Sequence, residues 1–402
     1  MKRLLTLLLL ITGLSCFAQV ESDFEKFKRE QQEQLKAMKD SQNDEIKAMI
    51  KEYDDYVKAE KEAYNAFVKK MSALWGEDNV TESTQTNWVE YYDDGKTRSD
   101  VDFENGEATI EIILDEDTSQ ESKEEEQSII ENKIENSVKR LLITKGKTKD
   151  YDTPMEKAVP LQSEAVLENQ VQTPSGKMVT EETVEEDAKE IAAAMVPEVK
   201  TIKGSDGKER KVVTVKLDLV PDHLRTRAEQ YKNEVEKYCN MYDLEPALVY
   251  AVIQTESAFN PKAKSHVPAY GLMQIVPNSA GKDCAQSLKK PFDKPTANYL
   301  YEPNNNIEMG VHYLYLLRKR YFNKVTDTDK SVLCMIASYN TGAGNLARAL
   351  RGDTNISKAI PKINEMSYKE LFSYLEKHLL PETQNYIRRV SSRMDDFNKW
   401  IK

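Results

Sequence analysis

Hydrophobic and polar positions follow three successive patterns along this chain, and each predicts a different kind of element. From Ser22 to about Trp75 the sequence is dense in Lys, Glu and Gln and contains neither Pro nor Gly. Phe24, Leu35, Ile46, Val57 and Val68 recur at intervals of 11, with Phe27, Met38 and Met49 beside them at the same interval. That period keeps a narrow apolar stripe on one side of a nearly straight helix, so a long, charged, solvated helix with one docking stripe is expected. From Thr84 the period changes. Polar and apolar residues alternate through Asp100-Val101-Asp102-Phe103-Glu104, Asn105-Gly106 supplies a turn, and Ala108, Ile110, Ile112 and Leu114 alternate again. This predicts a β-hairpin. An acidic stretch and a helix through Ile129, Ile130, Ile134, Val138 and Leu141 follow, then a stretch of loop or extended chain over 145–186. A further strand is expected through Val213, Val215, Leu217 and Leu219, after the turn Gly204-Ser205-Asp206-Gly207. Beyond Pro221 the period is helical, over 224–241, 246–258, 306–321, 330–339 and 382–398, with Gly and Pro between.

The first residues carry a different signal. Lys2 and Arg3 precede an apolar run from Leu4 to Leu14, and Ala18 offers a small residue for cleavage. This is a secretory signal segment. Cys16 offers an alternative, lipid attachment, but Gly13-Leu14-Ser15 places leucine one position away from its usual place in a lipoprotein signal. Soluble export to the periplasm is the favoured reading and an outer-membrane lipoprotein the alternative. The expected organisation is a signal peptide over 1–18, a long charged helix over 19–75, a small α+β domain over 76–220 and an all-α domain over 221–402.

Composition narrows the chemistry. The net charge of −11 over 402 residues argues against binding to nucleic-acid phosphates. His223, His266, His312 and His378 lie far apart without metal-ligand spacing, and no cofactor is expected. Thr341-Gly342-Ala343-Gly344 lacks the lysine of a phosphate loop. Cys239, Cys284 and Cys334 cannot all pair, which leaves one disulfide or buried free thiols.

Catalytic chemistry concentrates in the last domain. Pro246 suits the first turn of a helix whose Leu248, Val249, Val252 and Ile253 form an apolar face, and Glu256 stands at the edge of that face. Apolar surroundings disfavour ionisation and raise a carboxyl pKa, as a general acid near neutral pH requires. Downstream come Ser265, then Tyr270-Gly271-Leu272-Met273-Gln274, with little room for a side chain at Gly271. Gln274 offers a donor and an acceptor to sugar hydroxyls or an acetamido group. A later helix ends in Ser338-Tyr339-Asn340-Thr341-Gly342. Each segment alone is a weak signal; their order and spacing together are strong.

Residues from about 222 to 398 resemble the lysozyme-like domain of lytic transglycosylases, family 23 of the glycoside hydrolases. The matching stretches are Gln254-Thr255-Glu256-Ser257-Ala258-Phe259-Asn260-Pro261, Gly271-Leu272-Met273-Gln274, Ser338-Tyr339-Asn340-Thr341-Gly342 and Pro381-Glu382-Thr383-Gln384-Asn385-Tyr386. Ala280-Gly281-Lys282-Asp283, Trp75-Gly76-Glu77, the 11-residue repeats and the Val101-to-Ile112 hairpin are similar to a membrane-bound branch of that family. The resemblance implies an α+β multidomain enzyme acting on the glycan strands of peptidoglycan, with Glu256 as acid/base. It implies Ser265 and Gln274 as hydrogen-bond partners of substrate or acid, and a saccharide groove lined by Met273, Tyr339, Asn340 and Tyr386.

From Ser257 to Lys282 the chain has no Asp or Glu, although 68 of its residues are acidic. Ordinary glycosidases use two carboxylates. A lone one favours intramolecular closure to a 1,6-anhydro sugar, unless a distant acidic residue folds in. Asp283 is read as a helix-start or loop residue. The alternatives are a lysozyme-type hydrolase of the same bond and a non-catalytic wall-binding protein.

Overall fold

The computed structural model describes residues 44–115, 122–147, 150–152, 157–158, 160, 164–265 and 269–401. The signal segment, Cys16, Phe24, Phe27, Leu35, Met38 and His266 lie outside them. The described residues fall into two units. One contains the helix from Asp44 as far as Tyr64, and the other runs through 65–152 and 157–402. The helix itself, α1, spans Asp44–Trp75. No helix among the described residues is long and apolar enough to cross a membrane.

In the larger unit a five-stranded antiparallel sheet has the order β1-β2-β3-β5-β4, from Asn87–Tyr92 (β1), Thr97–Asp102 (β2), Glu107–Ile113 (β3), Glu198–Lys203 (β4) and Glu209–Asp218 (β5). The expected hairpin is β2–β3, with Val101 opposite Ala108, and β5 lies on its far side with Val215 opposite Ile110. Alternation sorts the side chains by face. Val101, Ala108, Ile110, Ile112, Val213 and Val215 join the core beneath α2 (Lys123–Ile143) and α3 (Val184–Ala194). Ile113, Ile202 and Val212 turn the other way, to Met71 and Trp75 of α1. Helix α2 begins with a capping box in which Ser122 and Glu125 satisfy each other's backbone amides.

The C-terminal half is all helical: α4 (His223–Gln230), α5 (Lys232–Tyr242), α6 (Pro246–Ser257), α7 (Lys282–Ser287), α8 (Ala297–Tyr301), α9 (Pro303–Leu317), α10 (Thr328–Thr341), α11 (Ala343–Arg351), α12 (Ile356–Glu365), α13 (Tyr368–His378) and α14 (Pro381–Ile401). Cys239, Cys284 and Cys334 are buried free thiols, which decides between the two readings left open for them.

The two halves share a boundary built from buried polar groups. Arg227, fully buried, donates to Val166 O at 3.0 Å, Gln170 Oε1 at 3.2 Å and Phe259 O at 2.6 Å. Its guanidinium carbon lies 3.5 Å from the centroid of the Phe103 ring. Asn260 donates to Asn87 O at 3.0 Å, and Lys262 donates to Val89 O at 3.2 Å and pairs with Asp150 at 3.0 Å. Ala258 and Tyr301 of the helical half belong to the apolar core under the sheet.

Candidate active site

Helix α6 is nearly all core. Pro246 opens it, and Leu248, Val249, Val252 and Ile253 are each at most 1% exposed. Asn260-Pro261, a pair that would stop any helix reaching it, is not what ends this one. The helix stops at Ser257 because Ala258 and Phe259 adopt left-handed backbone angles, φ 48° and 60°. Non-glycine residues rarely accept this region, and such strain concentrates at functional sites. Here Arg227 holds the Phe259 carbonyl, and the Ser257 hydroxyl donates to Ile253 O at 3.0 Å and to Leu272 O at 2.8 Å. That second bond pins the loop 270–274 beside the helix end.

The loop is clasped from α9 as well. Asn306, fully buried, accepts from the Met273 amide at 2.7 Å and donates to the carbonyls of Tyr270 and Leu300, each at 2.7 Å. Gly271 sits at φ 73°, and a Cβ there would stand 2.2 Å from Leu300 O and 2.4 Å from Asn306 Nδ2. Only glycine satisfies both conditions.

These elements leave Glu256 partly buried at the end of α6. The Tyr386 hydroxyl, from the second turn of α14, donates to Glu256 Oε1 at 2.7 Å. Burial raises the Glu256 carboxyl to about 7, against the lowering effects of the Tyr386 bond and of Arg389 and with a raising effect from Glu382. The Tyr339 hydroxyl donates to Met273 O at 2.7 Å. Burial first, and then the Glu256 charge, holds the phenols of Tyr339 and Tyr386 well above the usual tyrosine range. Both therefore remain hydrogen-bond donors. Asn340 accepts from Thr383 Oγ1 at 2.7 Å and donates to Glu382 Oε1 at 3.5 Å, joining the ends of α10 and α14.

Glu256, Tyr339, Asn340 and Tyr386 thus come together from three helices. Three other expectations change. Met273 does not line a groove: it is fully buried against Gly310, where a Cβ would lie 2.2 Å from its sulfur, and only its backbone serves the site. The Gln274 amide nitrogen is already committed, donating to Ala263 O at 3.0 Å and Gly271 O at 2.9 Å. Its Oε1 is buried without a partner among the described residues. Ser265 Oγ accepts from the Ala269 amide at 3.4 Å, a bond within its own loop. Asp283 lies in the first turn of α7 and pairs with Arg320 at 3.4 Å, as a helix-start residue would.

Sequence reasoning missed Asn306 and Glu382. Asn306 carried a readable signal, since it occupies the same helical face as Gly310, Leu314 and Leu317, all buried. Glu382 is a distant acidic residue whose charge acts on Glu256; it lies in the matched stretch 381–386, from which only Tyr386 was assigned to the site.

Residues 233–360 match the family model of the transglycosylase SLT domain, which gives the helical half its class: an all-α transglycosylase domain. Residues 50–230 match the N-terminal domain of membrane-bound lytic murein transglycosylase C. The protein of that name from Actinobacillus pleuropneumoniae (serotype 5b, strain L20) is 31% identical over 327 residues, 81% of this chain and 83% of the relative. Its counterpart in Haemophilus influenzae (strain PittEE) is 29% identical over 81% of this chain and 85% of its own length. The chain belongs to the membrane-bound lytic murein transglycosylase C family, and its enzyme class is that of a lytic murein transglycosylase. Among solved structures, the 70 kDa soluble lytic transglycosylase of Escherichia coli matches 45% of this chain at 23% identity and a TM-score of 0.35. The match spans 26% of that longer protein.

Proposed function

We propose that Glu256 is the single acid/base of a reaction that cuts peptidoglycan glycan strands at the bond between N-acetylmuramic acid and N-acetylglucosamine, without water. The protonated carboxyl gives its proton to the bridging oxygen, and the N-acetylglucosamine side leaves as an alcohol. The acetamido carbonyl oxygen of the muramoyl residue closes on C1 and carries the positive charge. The Glu256 carboxylate then removes the C6 hydroxyl proton, O6 bonds to C1, and the acetamido oxygen departs. The product is a 1,6-anhydro sugar, and Glu256 ends protonated as it began. Tyr386 holds the carboxyl in place throughout. Tyr339, Asn340 and the unpartnered Gln274 oxygen are the groups assigned to the saccharide.

One observation carries this reading. Glu256 stands at the end of a core helix with its carboxyl held by the Tyr386 hydroxyl at 2.7 Å and raised by burial to about 7, so near neutral pH it can serve both as acid and, one step later, as base. Glu382 is the residue that favours the second reading, a lysozyme-type hydrolase with a second carboxylate. It is exposed and shares an oxygen with Asn340, which suits a groove-wall residue better than a base that activates water. Digestion of purified sacculi followed by mass spectrometry separates the two. Anhydro ends are about 18 mass units lighter than reducing ends, the mass of one water. Reducing ends as the main product would overturn the water-free route.

The proposed workplace is the cell envelope, reached through the N-terminal signal segment, which ends at 18 for soluble export and just before Cys16 if that cysteine is lipidated. The membrane-bound name of the relatives supports a lipid on Cys16 over the soluble export that the sequence favours. Fatty-acid labelling that persists in Cys16→Ser would refute that anchor.

A further inference from the structure

The tip of the β2–β3 hairpin is fixed from three directions. Phe103 lies under the Arg227 guanidinium. Its carbonyl is 2.9 Å from His223 Nε2. Gly106 presses on the same imidazole, where a Cβ would come within 2.6 Å of Cε1. Between them stands Glu104, and its carboxylate reaches α14. Oε1 accepts from Arg393 Nη2 at 2.5 Å and from Arg389 Nη2 at 3.5 Å. Arg393 Nη1 also donates to Thr255 Oγ1 at 3.3 Å, the residue before Glu256. Glu104 Oε2 is buried with no partner among the described residues, so the carboxylate is under-served as a purely structural group.

We propose that Glu104 is a positioning residue for the acid: it gathers Arg389 and Arg393 onto the hairpin and keeps the Arg389 charge off the Glu256 carboxyl, so that the sheet half of the chain conditions chemistry in the helical half. This rests on Glu256 being the acid. The charged and titratable groups that face Glu256 are Tyr386, Glu382 and Arg389 from α14 and Tyr339 from α10. Of these, Arg389 is the cation, and it favours the ionised carboxylate. Glu104 is the anion paired with it. Removing that anion leaves the Arg389 charge, which already lowers Glu256, uncompensated, and the acid gives up its proton at lower pH.

The test is the pH profile of kcat on purified glycan strands for Glu104→Gln, Arg389→Gln and the double variant, with wild type and Glu256→Gln beside them. In Glu104→Gln the descending limb moves down by about one pH unit, the scale of a nearby opposite charge. The protonated fraction at pH 7 then drops from about a half to about a tenth, and kcat falls about fivefold there, recovering at pH 6. KM stays within about twofold. Arg389→Gln moves the limb the other way, and in its background Glu104→Gln loses most of its effect. A limb that stays in place in Glu104→Gln, with kcat lowered equally at every pH, would overturn the proposal. So would an unmoved limb in Arg389→Gln, which settles the matter if Glu104→Gln fails to fold. An active Glu256→Gln would instead sink the underlying assignment of the acid.

Discussion

Glu256→Gln is expected to lose turnover by a factor of roughly a thousand or more, because in the proposed mechanism one group performs both the proton donation and the proton removal, each of which contributes about 10²–10⁴. The amide is the same size, and its oxygen can still accept from Tyr386, so sugar binding persists. Release of anhydro muropeptides from sacculi is the measurement, and residual activity within tenfold of wild type would exclude Glu256 as the acid. The same variant is expected to gain stability at alkaline pH. The folded carboxyl titrates at about 7 against an ordinary 4.5, so the folded chain retains a proton that the unfolded chain has released. Stability of the wild type therefore declines as pH rises from about 4.5 to 7, by up to about 3 kcal/mol. Glutamine has no such decline, and the variant's unfolding midpoint at pH 8 exceeds that of wild type.

Arg227→Ala is expected to cost about 3–5 kcal/mol. Three oxygens lose their donor inside the protein, each worth about 1–3 kcal/mol when left unmet, and the Phe103 ring loses its stacking partner. A partial offset exists. Burial has already lowered the guanidinium to about 10, so part of the gain from its hydrogen bonds is spent on desolvation. Loss of three acceptors outweighs that offset. Urea unfolding measures the difference, and a change below about 1 kcal/mol would mean that burial of the cation had consumed nearly all it contributes. Because Phe259 O is one of the three oxygens, kcat is expected to drop as well, through loosening of the left-handed turn after Glu256.

Much of this arrangement was legible in the chain, where a strict period left one solution. Alternation on both sides of Asn105-Gly106 could only be a hairpin, and β2 and β3 lie there. Pro246 and the Val252–Ile253 face placed Glu256 at the margin of a buried helix. Glu256 stood out because a charged residue so close to an apolar stripe conflicts with simple packing. Strands β1 and β4 were not read. β4 is an edge strand with five of its six residues exposed, so it has no apolar alternation to detect. Helices α11 to α13 were missed because they are short and Pro361 sits inside one of them. The error over Met273 has a different origin. Its neighbours Gly271 and Gln274 suggested a ligand-facing loop, but the alternation of in and out along an irregular loop is set by tertiary clasps such as Asn306, which lies 33 residues away. The partners of Glu256 come from α14, 130 residues on, and no local pattern encodes that encounter.

The rivet of Arg227, Asn260 and Lys262 also bears on how such a chain can change over generations. An enzyme whose reactive half docks through exposed, water-filled seams can trade its companion domain freely. Here the companion supplies the carbonyls that these three side chains require and the core into which Ala258 is sunk. Exchange of the sheet for an unrelated module would strand two cations and an amide in oil, so the two halves are expected to be inherited, lost and altered as one piece.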